Sequence, residues 1–377
     1  MNQIPVMKPF LGEEEAQAAA AAVLSGWVAQ GPRVADFERQ FAAAVGAEHG
    51  VAVSSCTTGL HLALVLMGIG PGDEVIVPSL SFIATTNAVK YVGATPVFAD
   101  VEAVTGNLTA KTVEAVLSPR TKAVILVHQG GMPADVDEVR GVCDPLGVQI
   151  LEDAACAIGS TYKGRPVGAG SPLAAWSFHP RKLLTTGEGG MLTLADAAVA
   201  ARARQLREHG MSVSAADREA SKGAVIEQYL EVGFNYRMTD IQAAVGLVQL
   251  TRLETVVAER RRLAARYTEL LAGIDGLHTP ADPAHGTSNF QSYVIRLGPE
   301  VAAERNAVLA ALAADGISAR RGIMAAHLEP AYAGHPHADL SVTEEVTARS
   351  LILPVWHGLS AEDQDRVADS LRRAINA

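Results

Sequence analysis

The stretch SFHPRKLLTTGEGG, residues 177–190, joins two apolar segments and contains a single lysine, Lys182. The flanking segments, 173–178 and 191–194, are short and bounded by glycine, which is typical of buried strands. Lys182 is therefore predicted on a tight connection between two core strands. Burial disfavours the ammonium form, lowers the pKa of the side chain and produces an amine nucleophile suited to a Schiff base. Because buried lysines are rare, the segment alone favours the alternative, an exposed loop lysine with its stem packed down.

Predicted strands and helices alternate through the first half of the chain. Apolar segments of strand length precede and follow segments with helical spacing, which indicates a mainly parallel sheet covered by helices on both faces. The predicted fold class is α/β, with a mainly parallel, mixed sheet of seven strands in a large domain. The seven predicted strands lie near residues 50–54, 74–78, 95–99, 122–127, 148–151, 173–178 and 191–194.

A smaller C-terminal α/β domain follows the large one. It is predicted from strands at 290–297 and 351–354 and from helices at 300–314 and 360–375. We place the boundary near residue 250, inside a long helix at 239–271 that is broken at most once, which gives domains 1–250 and 251–377. Packing of the predicted N-terminal helix at 13–24 against the small domain is the alternative to its place in the large domain. Residues 210–233 are polar and weakly patterned, and we expect a long loop there.

Bulk composition excludes several classes of protein. The chain has 377 residues, a net charge of -10 and 5% aromatic residues, and it lacks the basic stretches of nucleic-acid-binding proteins. No apolar stretch reaches the roughly 18 residues needed to span a bilayer. The first residues lack a signal-peptide pattern, so we expect a cytoplasmic protein. The three cysteines (Cys56, Cys143 and Cys156) form no CxxC pair and imply neither a disulfide framework nor a structural zinc site.

Two further segments carry polar residues at predicted strand ends. In SSCTTG, residues 54–59, free N–H groups at a helix start and the hydroxyls of Thr57 and Thr58 are suited to bind phosphate. Ordinary N-capping by Thr57 is the alternative, and the segment alone favours it. In ILEDAACAIG, Asp153 follows a buried strand, where a carboxylate is costly unless paired. The ring nitrogen of a pyridoxal cofactor is one good partner. A helix cap or a structural ion pair is the alternative, and Glu152 fits either role.

The three signals agree on one ligand. Ligands of such sheets bind at the carboxyl ends of the strands. Pyridoxal 5'-phosphate has a phosphate for the N–H and hydroxyl groups of residues 54–59, a ring nitrogen for Asp153 and an aldehyde for Lys182. Ser177, five residues before Lys182, adds a hydroxyl for the phosphate. Phe82, in SLSFIATTNA, begins a predicted helix and is placed to stack on the ring, with a core phenylalanine as the alternative.

The chain resembles the DegT/StrS family of sugar aminotransferases, a branch of the aspartate-aminotransferase-like pyridoxal phosphate enzymes. The similarity runs nearly end to end and includes GWVAQGPRVADFE, SSCTTGLHLAL, PGDEVIVPSLSFIATTNAV, LEDAACAIG, WSFHPRKLLTTGEGG, GFNYRMTDIQAAVGLVQL and HLEPAY. The resemblance implies the fold of these transferases, a Schiff base at Lys182 and a contact between Asp153 and the ring nitrogen. It also implies that Thr57, Thr58 and Ser177 hold the phosphate and that Phe82 stacks on the ring. Asn235 would reach the cofactor of a neighbouring subunit, which implies a homodimer with a shared active site.

Two departures from the family pattern bear on the site. Cys156 stands where relatives commonly have glutamine or histidine near the ring oxygen of the cofactor, and a thiol is a weak donor. The segment HQGGMP, residues 128–133, replaces the common HLYGxP and puts the substrate in doubt. His128 in that segment, His327 in AAHLEPAY and Arg320 are predicted substrate residues. Solvent contact is the alternative for Arg320, and a structural role for the histidines.

No metal is expected. His335, His337 and Asp339 are the one cluster that suggests a metal, but HPHAD lies in a polar loop, and spacing alone does not make a site.

The resulting hypothesis is an aminotransferase that moves an amino group from glutamate or glutamine to the ketone of a nucleotide-linked sugar. A cyclitol or another non-nucleotide ketone is the alternative acceptor, and a non-catalytic regulatory relative is the alternative role. A dehydratase of the same family would carry histidine in place of Lys182, so the lysine argues against that activity. A dinucleotide-binding dehydrogenase is also disfavoured, because no GxGxxG follows the first strand.

Overall fold

A computed structural model describes residues 3–214 and 224–376 of the chain. Up to the loop that includes the gap, the helices are α1 (Glu13–Leu24), α2 (Pro32–Val45), α3 (Cys56–Leu66), α4 (Ile83–Tyr91), α5 (Ala110–Glu114), α6 (Val136–Cys143) and α7 (Ala197–Leu206). The strands of this part are β1 (His49–Val53), β2 (Glu74–Pro78), β3 (Thr95–Ala99), β4 (Thr121–Val127), β5 (Gln149–Asp153), β6 (Thr161–Tyr162), β7 (Arg165–Pro166), β8 (Leu173–Ser177) and β9 (Gly190–Leu194).

After the loop, the helices are α8 (Asp240–Thr251), α9 (Leu253–Leu271), α10 (Arg305–Ala314), α11 (Ser341–Arg349) and α12 (Ala361–Asn376). The strands are β10 (Leu277–His278), β11 (Gly286–Thr287), β12 (Tyr293–Leu297), β13 (Arg320–Arg321) and β14 (Ser350–Leu353).

The main sheet has seven strands in the order β1-β9-β8-β5-β4-β2-β3. The pairs from β8 to β3 are parallel, and β9 runs antiparallel to both β1 and β8. The predicted α/β class with a mixed seven-stranded sheet is confirmed. Because β8 and β9 pair directly, the segment that contains Lys182 closes a hairpin at the edge where β2, β3, β4 and β5 also end.

Helices cover both faces of this sheet, since alternate residues of each strand enter different cores. On β4, Val124 and Leu126 join one core with Phe37, while Ile125 joins the other with Leu62. Strands buried on both faces explain the continuous apolar segments in the sequence.

The C-terminal part has its own sheet and core. Its strands, in the order β10-β12-β14-β13, are all antiparallel. Tyr267, Tyr293 and Leu351 lie at the centre of its core, which Ile4 from the other end of the chain also enters. The long predicted helix is broken at Arg252, between α8 and α9. The helix α1 packs along α8, and the domain boundary near residue 250 stays a prediction.

Several boundaries differ from the sequence-based ones. The helices α5 and α11 and the short strands β6, β7, β10, β11 and β13 were not predicted, because two-residue strands and short polar helices carry little periodicity. Of the predicted loop at 210–233, residues 215–223 lie outside the described residues. Among helices in the described ranges, none combines the length and apolarity needed to cross a membrane.

Candidate active site

Lys182 lies on the β8–β9 connection, and its ammonium is held by a thiol. The Nζ atom donates a hydrogen bond to Cys156 Sγ over 3.0 Å. Burial lowers the pKa of Lys182, but Cys156, Cys56 and Asp153 together outweigh burial and raise it. The sequence-based expectation of a lowered pKa is therefore wrong for the free lysine, because three groups that carry or gain negative charge surround it.

Asp153 is the last residue of β5, and its carboxylate is buried. Thr85 donates its hydroxyl proton to Oδ2 over 2.9 Å, and the backbone N–H of Ala155 donates to Oδ1 over 3.2 Å. Burial raises the pKa of Asp153, and the bonds from Thr85 and Ala155 and the charge of Lys182 oppose that rise only in part. The carboxylate thus retains a strong preference for a further cationic partner.

The helix α3 begins beside the lysine loop with unused donors. Its N-cap is Ser55 rather than Thr57: Ser55 Oγ accepts the Thr58 N–H over 3.1 Å, and the Thr58 hydroxyl oxygen completes the capping box by accepting the Ser55 N–H over 3.1 Å. The alternative of N-capping by Thr57 is wrong, because the N-cap lies two residues earlier, at Ser55. Within the described ranges the Thr57 hydroxyl has no protein partner, and the N–H groups of Cys56 and Thr57 at the first helical turn have none within the helix.

The strand β9 passes close to this helix start at Gly190. A Cβ atom at Gly190 would lie 2.6 Å from the Cys56 nitrogen and 2.7 Å from the Ser55 carbonyl oxygen. Only glycine therefore allows the strand to pass the helix N-terminus at this distance.

Ser177 and Phe82 lie at the same edge of the sheet. The Ser177 hydroxyl accepts a long bond of 3.4 Å from the His179 N–H, which leaves its own proton available. Phe82 caps α4, and 58% of its surface is exposed, so the alternative of a core phenylalanine is wrong. An exposed aromatic ring beside charged and polar groups is available to stack on a planar ligand.

Cys156 and Cys56 add two thiols to the site. Burial and the Asp153 carboxylate raise the pKa of the Cys56 thiol well above its usual range. Cys156 follows β5 by three residues, and its backbone carbonyl accepts a bond from Asn289 Nδ2 over 2.8 Å. Neither of these two cysteines forms a disulfide bond.

The two predicted substrate histidines are buried and bonded within the protein. His128 is fully buried, with Nδ1 accepting the Ala134 N–H and Nε2 3.0 Å from Glu152 Oε2. His327 is also buried, with Nδ1 2.6 Å from Ser79 Oγ and Nε2 3.3 Å from Glu344. Both ring nitrogens of each histidine therefore have partners within the protein, which is the structural role named as the alternative, and contact with the substrate stays a prediction.

The remaining predicted residues lie at the surface. Arg320 is exposed on the edge strand β13. Asn235 is also exposed, and its backbone forms an isolated antiparallel β-bridge with Glu208. His335 bonds the Pro96 carbonyl, His337 bonds the Ala338 carbonyl, and Asp339 bonds Ser341. No group of three or more metal-binding side chains occurs within residues 3–214 and 224–376.

Sequence reasoning missed three residues that support the site. Thr85, the donor to Asp153, follows Phe82 by one helical turn, so its place after a strand end was a usable signal. Asn289 and Gln291 contact the loops of Cys156 and Lys182 from a segment more than 100 residues away. No local pattern marks them, because these contacts exist only in the folded chain.

The donor set fits pyridoxal phosphate. An amine, a buried carboxylate and an open helix N-terminus meet at one edge of an α/β sheet, with an exposed aromatic ring close by. They match the aldehyde, the ring nitrogen, the phosphate and the ring face of that cofactor. The fold and site define a pyridoxal phosphate-dependent transferase.

Comparison with known proteins gives the family. The chain belongs to the DegT/DnrJ/EryC1/StrS aminotransferase family, whose model matches residues 9–372. It is 40% identical to the spore coat polysaccharide biosynthesis protein SpsC of Bacillus subtilis (strain 168), over 99% of this chain and 97% of the relative. The family resemblance found in the sequence is thereby confirmed.

Solved structures agree along the whole chain. The PLP form of Spr1654 from Streptococcus pneumoniae is 28% identical, with a TM-score of 0.91 over 99% of both chains. DesI in the presence of its TDP-sugar product is 34% identical, with a TM-score of 0.89 over 100% of this chain and 93% of the other. The chain is a pyridoxal phosphate-dependent aminotransferase of the sugar aminotransferase family.

Proposed function

We propose that this aminotransferase transfers an amino group from glutamate or glutamine to the ketone of a nucleotide-linked deoxysugar. One observation carries the proposal: Lys182 and Asp153 share one sheet edge with the unused donors of α3, in a fold shared with solved structures that include the sugar aminotransferase CalS13. The TDP-sugar product bound to DesI supports a nucleotide-linked acceptor.

Each residue has a distinct role in this proposal. Pyridoxal phosphate supplies an aldehyde that carries the amino group and a ring that withdraws electrons from the reacting carbon. Lys182 binds the cofactor and, once the amino donor displaces it, accepts and returns the proton at the reacting carbon through Nζ. Asp153 stabilises positive charge on the ring nitrogen. Thr57 and Ser177, with the N–H groups of the first turn of α3, hold the phosphate.

The proposal includes a homodimer. Asn235 would contact the phosphate in the neighbouring subunit's site, and exposed apolar side chains lie in the same region of the chain. They are Ile226, Tyr229, Leu230 and Val232, each more than half exposed. A face of this kind favours association. Sedimentation of the purified chain would show twice the monomer mass, and Asn235→Ala would weaken cofactor retention without changing that mass.

The deciding experiment compares two classes of acceptor. The purified protein is incubated with pyridoxal phosphate, glutamate or glutamine, and either keto TDP-sugars or a keto-cyclitol, with Lys182→Ala as the control. The expected result is an amino sugar nucleotide, detected by mass spectrometry, that Lys182→Ala does not form. Amination of the cyclitol alone would overturn the nucleotide-sugar assignment. No amination of either class, with cofactor bound at Lys182, would overturn the proposed reaction.

A further inference from the structure

A short segment of the C-terminal part reaches across to the lysine loop. Residues 288–292 lead into β12, and Gln291 on this segment contacts the backbone on both sides of Lys182. Its Nε2 donates to the Arg181 carbonyl over 2.6 Å, and its Oε1 accepts the Leu183 N–H over 3.1 Å. One side-chain amide thus fixes both flanking peptide groups of the lysine.

Asn289, two residues earlier, holds the opposite wall of the site. Its Nδ2 donates to the carbonyls of Cys156 and Ile158, each over 2.8 Å. Its Oδ1 accepts the backbone N–H of Gln291 over 2.8 Å, so the Asn289 side chain is bonded to the backbone of Gln291. Since Lys182 bonds Cys156 directly, Asn289 and Gln291 set the distance between the two partners of that bond.

The segment is also tied to the loop that follows β4. The N–H of Asn289 donates to Ser160 Oγ over 3.0 Å, and that hydroxyl donates to the Gly131 carbonyl over 2.6 Å. A Cβ atom at Gly131 would lie 1.9 Å from Asn289 Oδ1, and the φ of Gly131 is +95°. Glycine at this position therefore leaves the space that the Asn289 amide occupies.

Burial and backbone strain show that this arrangement is specified. Asn289 is 0% exposed and Gln291 is 4% exposed, yet every polar atom of both side-chain amides is bonded. Phe290 between them has a φ of +49°, a conformation that bulky residues rarely adopt. Strain of this kind persists only where the surrounding contacts over-determine it, and it is concentrated at functional sites.

We propose that Asn289 and Gln291 are positioning residues of the reaction, which hold Lys182 at its working distance from Cys156 and Asp153. They act through the two loops and not by direct contact with the cofactor or the substrate. The inference rests on the proposed function only in that Lys182 binds the cofactor, and it requires no particular sugar or amino donor.

The test uses the cofactor-loaded enzyme and replaces Gln291. Gln291→Met keeps the length of the side chain and removes both bonds, whereas Gln291→Glu retains an acceptor for Leu183 and loses the donor to Arg181. Gln364→Met is the matched control, because Gln364 is also fully buried and donates to a backbone carbonyl, that of Leu263, in the C-terminal part.

The first readout needs no substrate turnover. The absorbance of lysine-bound cofactor is titrated with pH, and its midpoint reports the charges around Lys182. We expect Gln291→Met to shift this midpoint by about half a pH unit or more, and Gln364→Met to leave it unchanged. Hydrogen exchange at the Leu183 amide should accelerate in Gln291→Met, and Gln291→Glu should retain more of its protection.

The second readout is turnover of the acceptor. Displacement of the lysine should lower kcat about ten- to a hundredfold while KM stays within about twofold, because substrate contacts are intact. The positioning role would be overturned if Gln291→Met lost as much thermal stability as Gln364→Met while its absorbance midpoint and kcat stayed at wild-type values. If Gln291→Met does not fold, an unchanged midpoint and kcat in Gln291→Glu would overturn it equally. Failure of wild type to aminate sugars leaves the spectral test valid, so the two failures are distinguishable.

Discussion

The Nζ atom of Lys182 lies 3.0 Å from the Sγ atom of Cys156 and donates a hydrogen bond to it. A soft, weakly accepting thiol thus faces the amine at the centre of the site. The contact favours the ammonium form of the lysine, whereas capture of an aldehyde requires the neutral amine. Cys156 therefore influences how readily the free enzyme binds its cofactor.

Replacement of Cys156 by alanine should accelerate cofactor capture near neutral pH. Cys156 is one of the groups that raise the pKa of Lys182 against the effect of burial, so its removal lowers that pKa. A fall of one pKa unit increases the neutral amine about tenfold at a pH below the pKa. The rate at which cofactor absorbance develops, measured from pH 7 to 10, should show its midpoint at lower pH in Cys156→Ala. Cys143→Ala, which removes a buried thiol on α6, is the control. An unchanged midpoint in Cys156→Ala, or an equal shift in both variants, would contradict the role of Cys156.

The sequence predicted most of the sheet, because its strands are short apolar segments separated by glycine-containing turns. The seven-stranded mixed sheet is confirmed, and Lys182, Asp153 and Phe82 lie where strand ends placed them. The N-cap of α3 is Ser55 and not Thr57, and the sequence could not distinguish them, since a run of five hydroxyl and thiol residues offers several equivalent caps.

Sequence patterns could not supply the electrostatics of the site. The pKa of Lys182 depends on Cys56, Cys156 and Asp153, which come together only when three strand ends align. The buried position of His128 likewise depends on a long-range contact, its bond to Glu152 on the strand β5, which pairs with β4. Asn289 and Gln291 reach the site from the segment that precedes β12, more than 100 residues along the chain, so no local signal marked them.

Removal of the Thr85 hydroxyl should shift the acidic limb of the activity profile to higher pH. Thr85 donates to Asp153 and lowers a pKa that burial has raised, so Thr85→Val raises the pKa of Asp153 further. Activity that needs the carboxylate is lost as pH falls through that pKa, and a higher pKa brings the loss at higher pH. We expect a shift of about one unit in the acidic limb of kcat/KM.

Thr86→Val is the matched control for Thr85→Val. Thr86 is the next residue of α4, it is fully buried, and its hydroxyl has no hydrogen-bond partner in the described part of the chain. Its replacement should leave the acidic limb in place. An equal shift in both variants would show that packing around α4, rather than the bond to Asp153, determines the limb.

Phe82 and Phe98 should respond in opposite ways to replacement by alanine. Phe82 is 58% exposed, so Phe82→Ala should change the free energy of unfolding of the cofactor-free protein by less than about 0.5 kcal/mol. It should weaken cofactor binding about fivefold, because the loss of a stacked ring costs about 1 kcal/mol. Phe98 is 1% exposed in the core, and Phe98→Ala should destabilise the fold by about 3–5 kcal/mol. Denaturant unfolding and cofactor titration measure the two effects, and unchanged cofactor affinity in Phe82→Ala would contradict stacking.

The carboxylate of Asp240, the first residue of α8, caps a different helix. It accepts the N–H groups of Gly31 (2.9 Å), Val34 (3.0 Å) and Arg33 (3.1 Å) at the start of α2, where the N-cap is a glycine without a side chain. Asp240 is fully buried, so Asp240→Ala would leave buried donors unpaired.

We expect Asp240→Ala to lower the free energy of unfolding by about 3 kcal/mol, measured in denaturant at fixed protein and cofactor concentrations. Asp196→Ala is the control, because Asp196 caps its own helix α7 at an exposed position through two comparable bonds. An exposed cap of that kind contributes about 1 kcal/mol, since water replaces it. Asp240→Asn, which retains one acceptor oxygen, should lie between the two. Equal losses in Asp240→Ala and Asp196→Ala would mean that the α8 carboxylate acts as an ordinary cap and does not anchor α2 to α8.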